Sequence, residues 1–487
     1  MTDGHPPTTE EGPDRVPRTP ANRRPNVVLV NCDDLGYGDL GCYGSPLNKT
    51  PTIDRLAAEG LRFDSFYMAS PVCSPSRGAL LTGCYPPRIG FGSFDGLPVL
   101  FPGQGIGLPD TEISLGALLS SAGYRTQMIG KWHCGDQPAF LPTNHGFDHY
   151  FGLPYSNDMG RQAPATSGPL APPPGQEPFY LNPLPLLADH DVIEQQPDQA
   201  SLTGRYITEA VRFLRDAAED PFFLYLAHLY VHVPIYVQER FARRSANGPY
   251  GAAVECIDWA TAVILHELDA LGLAGDTIVI FTSDNGSRAV DGGSNRPLRG
   301  TKGTTWEGGM RVPCIVRWPG RVAPGRVCDE VTTAMDLYPT LAGLCGADLP
   351  EDRTIDGRDI GGLWADADAA SPHEAFFYYW MNDLEAVRAG RWKLHFAKHG
   401  HVEAALYDLD ADPGEARNLI DVGGHQPVVA ELEAHAERAR VSLGDALTGR
   451  TGGDVRPVGR VRDPVTLTTY DARHPYYLAE YDLTDRG

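Results

Sequence analysis

Two short acidic stretches carry the first chemical signal in this sequence. Asp33 and Asp34 stand together in Asn31-Cys-Asp-Asp-Leu-Gly36, and Asp284 and Asn285 in Thr282-Ser-Asp-Asn-Gly286. Adjacent carboxylates repel unless a cation lies between them. Three carboxylates and an amide oxygen form an all-oxygen donor set suited to a hard ion, Ca²⁺ or Mg²⁺. Each pair follows an apolar run, Asn26-Val-Val-Leu-Val-Asn31 or Thr277-Ile-Val-Ile-Phe281, and ligands of α/β sheets collect at the carboxyl ends of strands. Asp and Asn are also ordinary turn residues, but two pairs in the same topological position favour the metal. Cys73 lies in Pro71-Val-Cys-Ser-Pro-Ser-Arg77, continued by Gly-Ala-Leu-Leu-Thr-Gly83. A cysteine just before a helix start and four residues from Arg77 is expected to have a lowered pKa, although most lone cysteines are small buried apolar residues.

Further polar groups recur after apolar runs. Lys131 and His133 stand in Gly130-Lys-Trp-His133, Ser156 in Pro154-Tyr-Ser-Asn-Asp158, and His232 in Val231-His-Val-Pro234. Lys302 falls in Leu298-Arg-Gly-Thr-Lys-Gly-Thr-Thr-Trp-Glu-Gly-Gly309. Singly, each lysine reads as solvated surface charge, and any one of fifteen histidines as structural. Their company changes the weight. C-S-P-S-R with Leu80, Thr82 and Gly83 resembles the signature of the formylglycine-dependent sulfatases, members of the alkaline-phosphatase superfamily. The G-K-W-H element, His232 before Pro234 and the glycine-rich lysine segment resemble that family's other elements, in order. Ser156 matches the serine of its arylsulfatase A-like subgroup. The similarity runs from Asn26 to about Asn418 and includes Leu406-Tyr-Asp-Leu409 and Asp412-Pro-Gly-Glu415. Cys134 departs from the family's usual aliphatic residue.

The resemblance implies a sulfuric ester hydrolase. A formylglycine-generating maturation enzyme, reading C-x-P-x-R, would convert Cys73 to 3-oxoalanine (formylglycine). Its hydrate would attack sulfur with one oxygen, and the second hydroxyl would then allow sulfate to leave by elimination. His133 would be the base for that elimination. His232 and Lys302 would meet the leaving oxygen, and Arg77 and Lys131 the metal-side oxygens. Ser156, Lys131, His232 and Lys302 would bind the sulfate. The metal would be held by Asp33, Asp34, Asp284, Asn285 and residue 73. Arg77, Lys131, Lys302 and one divalent ion outweigh the three aspartates by two charges, which suits a monoanionic sulfate ester. A phosphatase or phosphonate monoester hydrolase of the same superfamily is the nearest alternative, but a dianionic substrate would want more positive charge or a second metal. A catalytically silent, sulfatase-like binding protein is a second alternative.

These residues need elements to hold them. Short apolar strands near 26–31, 126–129, 222–227 and 277–281 alternate with helices near 51–59, 113–122, 207–214 and 254–271. That alternation predicts an α/β fold: a large, mainly parallel sheet flanked by helices, buried on both faces. From about residue 372 short, antiparallel strands at 376–380, 386–388, 392–396 and 406–409 precede a helix with Val429, Leu432, Ala436 and Ala439 on one side. The expected organisation is a disordered leader at 1–25, a catalytic domain at 26–371 and a smaller C-terminal α+β domain at 372–487. A Pro-rich stretch at 161–187 reads as a long loop, either lid or surface insertion.

The chain has 487 residues, 42% of them hydrophobic, and a net charge of −22. That charge argues against a nucleic-acid partner, and requires any site for an anion to be a local island of positive charge. No apolar run approaches a membrane span, and Met1–Pro25 lacks the apolar centre of a secretory signal. Nine cysteines without a repeated close spacing suggest no disulfide framework and a reducing, cytoplasmic setting.

Overall fold

The run Asn26–Cys32 forms strand β1 with every residue buried. Its alternation explains why the middle of it, residues 27–30, is apolar throughout: Val28 and Val30 point into one hydrophobic core, Val27 and Leu29 into another. The computed structural model describes residues 24–161, 182–399 and 401–476. The expected leader falls almost entirely at 1–23, outside the described residues, as do residues 162–181 of the Pro-rich stretch.

β1 is central in a ten-stranded sheet. In chain order the others are β2 (Leu61–Phe63), β3 (Arg125–Gly130), β4 (His149–Gly152), β5 (Pro185–Ala188), β6 (Asp191–Gln195), β7 (Phe222–Ala227), β8 (Thr277–Ser283), β9 (Cys314–Arg317) and β10 (Arg326–Cys328). The order across the sheet is β10-β2-β9-β8-β1-β7-β3-β4-β5-β6. The middle five, β8-β1-β7-β3-β4, are all parallel. The flanks turn antiparallel at β9 on one side and at β5 and β6 on the other. The end of the stretch expected to be loop, Pro185–Ala188, is therefore a strand pairing with β4. Proline is tolerated at a strand's first residue, which is where Pro185 sits.

Helices α1 (Pro51–Ala58), α4 (Gln199–Asp216) and α5 (Gly248–Ala270) cover one face, through Ile53, Leu56, Leu202, Tyr206, Ile257 and Ile264. Helices α2 (Cys73–Thr82) and α3 (Leu115–Ser121) cover the other, through Leu80, Leu81, Leu115 and Leu118. Both faces of the sheet are thus dry.

The C-terminal sheet is an antiparallel meander, β11 (Phe376–Trp380), β12 (Asp383–Ala389), β13 (Trp392–Lys398) and β14 (His401–Asp408), as the sequence predicts. Helix α6 (Gln426–Leu443) packs Leu432, Ala436 and Ala439 on it. A third core joins this sheet to the rest: Phe376, Tyr378, Val387 and Leu394 lie with Tyr67, Ala79, Met310 and Met335. The chain then returns to the large unit. Gly459–Arg460 pairs with Ile106–Gly107, and Arg456 hydrogen-bonds Glu112.

Gly130 ends β3 at the point where the chain must turn towards the site. Its φ is +104°, and a Cβ there would lie 1.8 Å from the Ala227 carbonyl oxygen of β7. Gly123 also has positive φ, +79°, but a Cβ there would meet only the Arg24 guanidinium, at 3.7 Å. Gly130→Ala should therefore destabilise by about 3 kcal/mol or more and suppress activity, whereas Gly123→Ala should cost about 1 kcal/mol. Urea unfolding of both variants checks this; equal losses would show that φ alone matters.

Candidate active site

The five parallel strands end on one edge of the sheet, and the polar residues follow those ends. The register Cys32↔Ser283 brings Asp33 and Asp34, after β1, beside Asp284 and Asn285, after β8. Lys131 and His133 follow β3, His232 follows β7, and Ser156 follows β4. α2 presents Cys73 as its first residue. Lys302 comes from the loop before the short helix Glu307–Met310.

Opposite charges interlock there. Arg77 Nε donates to Asp284 Oδ2 at 2.9 Å, and its Nη1 to the Lys131 carbonyl at 2.7 Å. Its Nη2 lies 3.7 Å from Asp33 Oδ2. Lys131 Nζ donates to Asp33 and, at 3.2 Å, to Ser156 Oγ. Lys302 Nζ donates to Asp34 Oδ2 at 3.0 Å, and His232 Nε2 lies 3.9 Å from the same oxygen. Burial alone would raise the Asp34 pKa, but Lys302, His232 and the Asn285 amide outweigh it and hold the carboxyl below the usual range. Asp284 is held above that range, by burial and by repulsion from Asp33. Asp34 keeps Lys302 charged despite its burial.

The two histidines differ in what their rings can do. His133 Nε2 faces the Leu100 carbonyl at 3.0 Å. A carbonyl only accepts, so Nε2 carries the hydrogen and Nδ1 keeps its lone pair. Nδ1 is buried with no hydrogen-bond partner. Burial and Lys131 push this ring well below the usual histidine pKa, so it is neutral. His232 Nδ1 faces the Val233 carbonyl, and burial and Lys302 push its pKa down to about 4.

Cys73 corrects the expectation of an acidic thiol. It stands at a helix start, but it is buried, and burial pushes the thiol up to about 12. Lys131 and Lys302 pull the other way and are offset by Asp33 and Asp284. Arg77, expected to lower it, is turned onto Asp284 and the Lys131 carbonyl.

A cavity of about 570 Å³ opens over these groups, lined by Cys73, His133, Ser156, His232 and Lys302 together with Val72, Val99, Phe101, Asp158, Met159, Arg288 and Val290. Arg77 and Lys131 do not line it. The sequence did not point to Val99, Phe101, Met159 or Val290. They come from loops with no local motif, although Asp158 closes the quoted Ser156 segment.

The carboxylates fit a hard divalent ion. Asp33 Oδ1 and Asn285 Oδ1 are buried without a hydrogen-bond partner, two oxygens left over in a cluster of oxygens. Ligand atoms of Asp33, Asp34, Cys73 and His232 lie within 4.8 Å of one another. Asp284 Oδ1 is tied to the same place by the Asp34 amide at 3.2 Å. His232, not expected among the ligands, thus sits beside them. Arg77→Met should leave Asp33 and Asp284 short of positive charge and cost about 3–5 kcal/mol. Added Ca²⁺ should recover part of that loss. Urea unfolding with and without Ca²⁺ measures both; an unchanged midpoint would show that Arg77 is not the counter-charge.

Comparison with known proteins agrees with this geometry. The family model Sulfatase matches residues 25–347, and the model N-sulphoglucosamine sulphohydrolase, C-terminal, matches residues 301–442. Arylsulfatase A of Homo sapiens is 41% identical over 460 residues, covering 88% of this chain and 89% of that protein. Steryl-sulfatase of Mus musculus is 38% identical over 525 residues, covering 88% and 84%. The crystal structure of PsFucS1 sulfatase from Pseudoalteromonas sp. superposes with a TM-score of 0.74 at 28% identity, covering 86% of this chain and 91% of that one. With its acidic pairs, its C-S-P-S-R helix start and its lysines and histidines meeting at one sheet edge, the chain belongs to the sulfatase family, the hydrolases of sulfate esters.

Proposed function

We propose that the protein hydrolyses a monoanionic sulfate ester of an alcohol with an apolar body, through an aldehyde made from Cys73 and a single Ca²⁺ ion, with Mg²⁺ the alternative. The observation that carries this is the division of the cavity lining. His232, Ser156 and Lys302 gather about Asp34 and residue 73, while Val72, Val99, Phe101, Met159 and Val290 form an apolar wall. A polyanionic saccharide would want several cations along that wall. Among the described lining residues Arg288 is the one cation besides Lys302; it lies 3.4 Å from Asp291, and Asp158 adds a carboxylate. An aryl or sterol-like alcohol suits such a wall better, in keeping with the names of the arylsulfatase and steryl-sulfatase relatives.

The residues then divide the work. Once oxidised, residue 73 would supply as its hydrate an oxygen nucleophile and a second hydroxyl that makes the sulfated residue labile to elimination. Asp33, Asp34, Asp284 and Asn285 would hold a divalent ion, which would supply Lewis-acid stabilisation of oxygen charge. His133 takes the proton at Nδ1, the nitrogen left free by the Leu100 carbonyl. Lys302 meets the leaving oxygen as a charged donor, with neutral His232 beside it. Ser156 holds a sulfate oxygen; from outside the cavity Lys131 positions the Ser156 hydroxyl and Asp33, and Arg77 fixes Asp284 and the Lys131 backbone. Three fixed cations and one divalent ion against three carboxylates leave the pocket two charges positive, favouring a sulfate monoanion over a phosphate dianion. As a thiol with its pKa at about 12, Cys73 itself would be a poor nucleophile; the oxidised residue has a chemical reason. The nine cysteines are unpaired, which supports a reducing, cytoplasmic setting.

Cys73 is 2% exposed, so the maturation enzyme must reach it before the chain folds. Mass spectrometry should find the aldehyde when that enzyme is present during synthesis and not when it is added to folded protein. Cys73→Ala should abolish turnover, and chelation should suppress it until Ca²⁺ or Mg²⁺ is restored. Substantial activity in Cys73→Ala would exclude the nucleophile.

Lys302→Ala should slow poor leaving groups about a hundredfold and nitrophenolate much less, since the latter departs without help. Matured wild-type enzyme should hydrolyse nitrophenyl sulfate faster than nitrophenyl phosphate. The reverse preference would require the phosphatase reading instead.

A further inference from the structure

Lys302 is held from both sides, and one side belongs to the C-terminal sheet. Upstream, the Ser287 carbonyl accepts from the Lys302 amide at 3.2 Å and from Thr301 Oγ1 at 2.8 Å. Downstream, the Gly303 amide donates to the Pro71 carbonyl at 2.9 Å, two residues before Cys73. The chain then enters a buried cluster around Lys393 of β13. The Lys393 ammonium is wholly buried; it donates to the Thr305 carbonyl at 2.9 Å and to Glu307 Oε1 at 3.0 Å, and lies 2.9 Å from Glu415 Oε1. Glu415 Oε2 accepts the Glu307 amide at 2.8 Å, and Glu307 Oε1 accepts Tyr378 Oη at 2.7 Å. From β12, Glu385 accepts Thr305 Oγ1 at 2.6 Å.

Neither Lys393 nor its partners line the cavity, and no step described above uses them. What they control is the backbone three residues after Lys302. One ammonium bridges two carboxylates that would otherwise face each other in a medium where water cannot screen them. Without it, Glu307 keeps Arg311 at 3.5 Å and Arg388 at 3.9 Å on its Oε2, and Glu415 keeps His395 at 2.8 Å. The two Oε1 atoms nonetheless lose the cation between them and repel, although the Glu307 amide is bonded to Glu415. The strain falls on Thr305–Glu307, whose carbonyl anchor has also been lost.

We propose that Lys393 is a positioning residue for the sulfatase reaction: by pinning the Thr305 carbonyl and pairing Glu307 with Glu415, it fixes where Lys302 meets the leaving oxygen. The inference rests on the role proposed above for Lys302. A misplacement of about 1 Å costs on the order of a hundredfold at a reacting centre, and here it would be felt by substrates that need Lys302.

The test uses full-length, aldehyde-bearing enzyme and a series of aryl sulfates from nitrophenyl to alkylphenyl. Lys393→Met should lower kcat/KM about tenfold or more for the poorest leaving group and by less than about threefold for nitrophenyl sulfate. In a Lys302→Ala background, Lys393→Met should cost less than about twofold on the same poor substrate, because its effect passes through the missing lysine. If Lys393→Met does not fold, Tyr378→Phe, which removes one hydrogen bond to Glu307 and keeps the ring, should show the same steepened dependence with smaller size. A uniform loss across the series, or full additivity in the double variant, would overturn the proposal for Lys393 while leaving Lys302 in place. A uniform loss in Lys302→Ala alone would instead overturn the role of Lys302, and the inference with it.

Discussion

Six charged side chains sit where water scarcely reaches, and the rest of the structure is arranged around that fact. Asp33, Asp34, Asp284, Arg77 and Lys131 are almost completely buried, and Lys302 is about one-tenth exposed. Taking any of them out of water alone would cost several kcal/mol. They persist because each carboxylate has a cation within reach, and because Arg77 also binds the Lys131 carbonyl, coupling α2 to the end of β3. The pairing is tight but incomplete. Asp284 stays above the usual carboxylate range, and two oxygens remain unpartnered. A lattice of this kind is stable enough to fold and still attractive to a hard cation and an anionic ester.

Parallel strands suit this demand because their carboxyl ends lie on one edge, with helices sealing both faces. The turn off those strands is sharp. Asp34 and His133 both adopt positive φ, 59° and 60°, a conformation costing roughly 1–3 kcal/mol for a residue with a side chain. The surrounding packing imposes it, and the result aims Asp34 at Lys302 and leaves His133 Nδ1 without a partner. Gly286 permits the other close approach, since a Cβ there would lie 1.8 Å from the Gly308 carbonyl. That contact brings the glycine-rich lysine segment against the end of β8.

The C-terminal sheet is more than an appendage to this site. Its third core encloses Tyr67 and Ala79, on either side of Cys73 in the chain, and Met310, just beyond the lysine segment. The buried Glu307, held below its usual pKa by Lys393, Arg388 and Arg311 against the cost of burial, sits at that seam. Both arms of the site, the Cys73 helix start and the Lys302 segment, are thus braced by the same few strands.

The sequence by itself determined the strands and helices that carry the site. Residues 27–30 of β1 and 278–281 of β8 are apolar because both faces of the sheet are buried, and that leaves a readable pattern. It also named the residues that meet at the sheet edge, because the acidic pairs and the C-S-P-S-R start are local motifs with fixed residue types. Tertiary structure decided the rest. The thiol of Cys73 is weakly acidic, not strongly, because burial outweighs a helix start and Arg77 is engaged elsewhere; neither burial nor partner choice is written in local spacing. The strand at Pro185–Ala188 forms because β4 offers it an edge. The cavity wall of Val99, Phe101, Met159 and Val290 draws on loops far apart in the chain, and the clamp of Lys393 on the lysine segment joins residues about ninety apart. Such contacts exist only once the sheets have packed, so no window of sequence contains them.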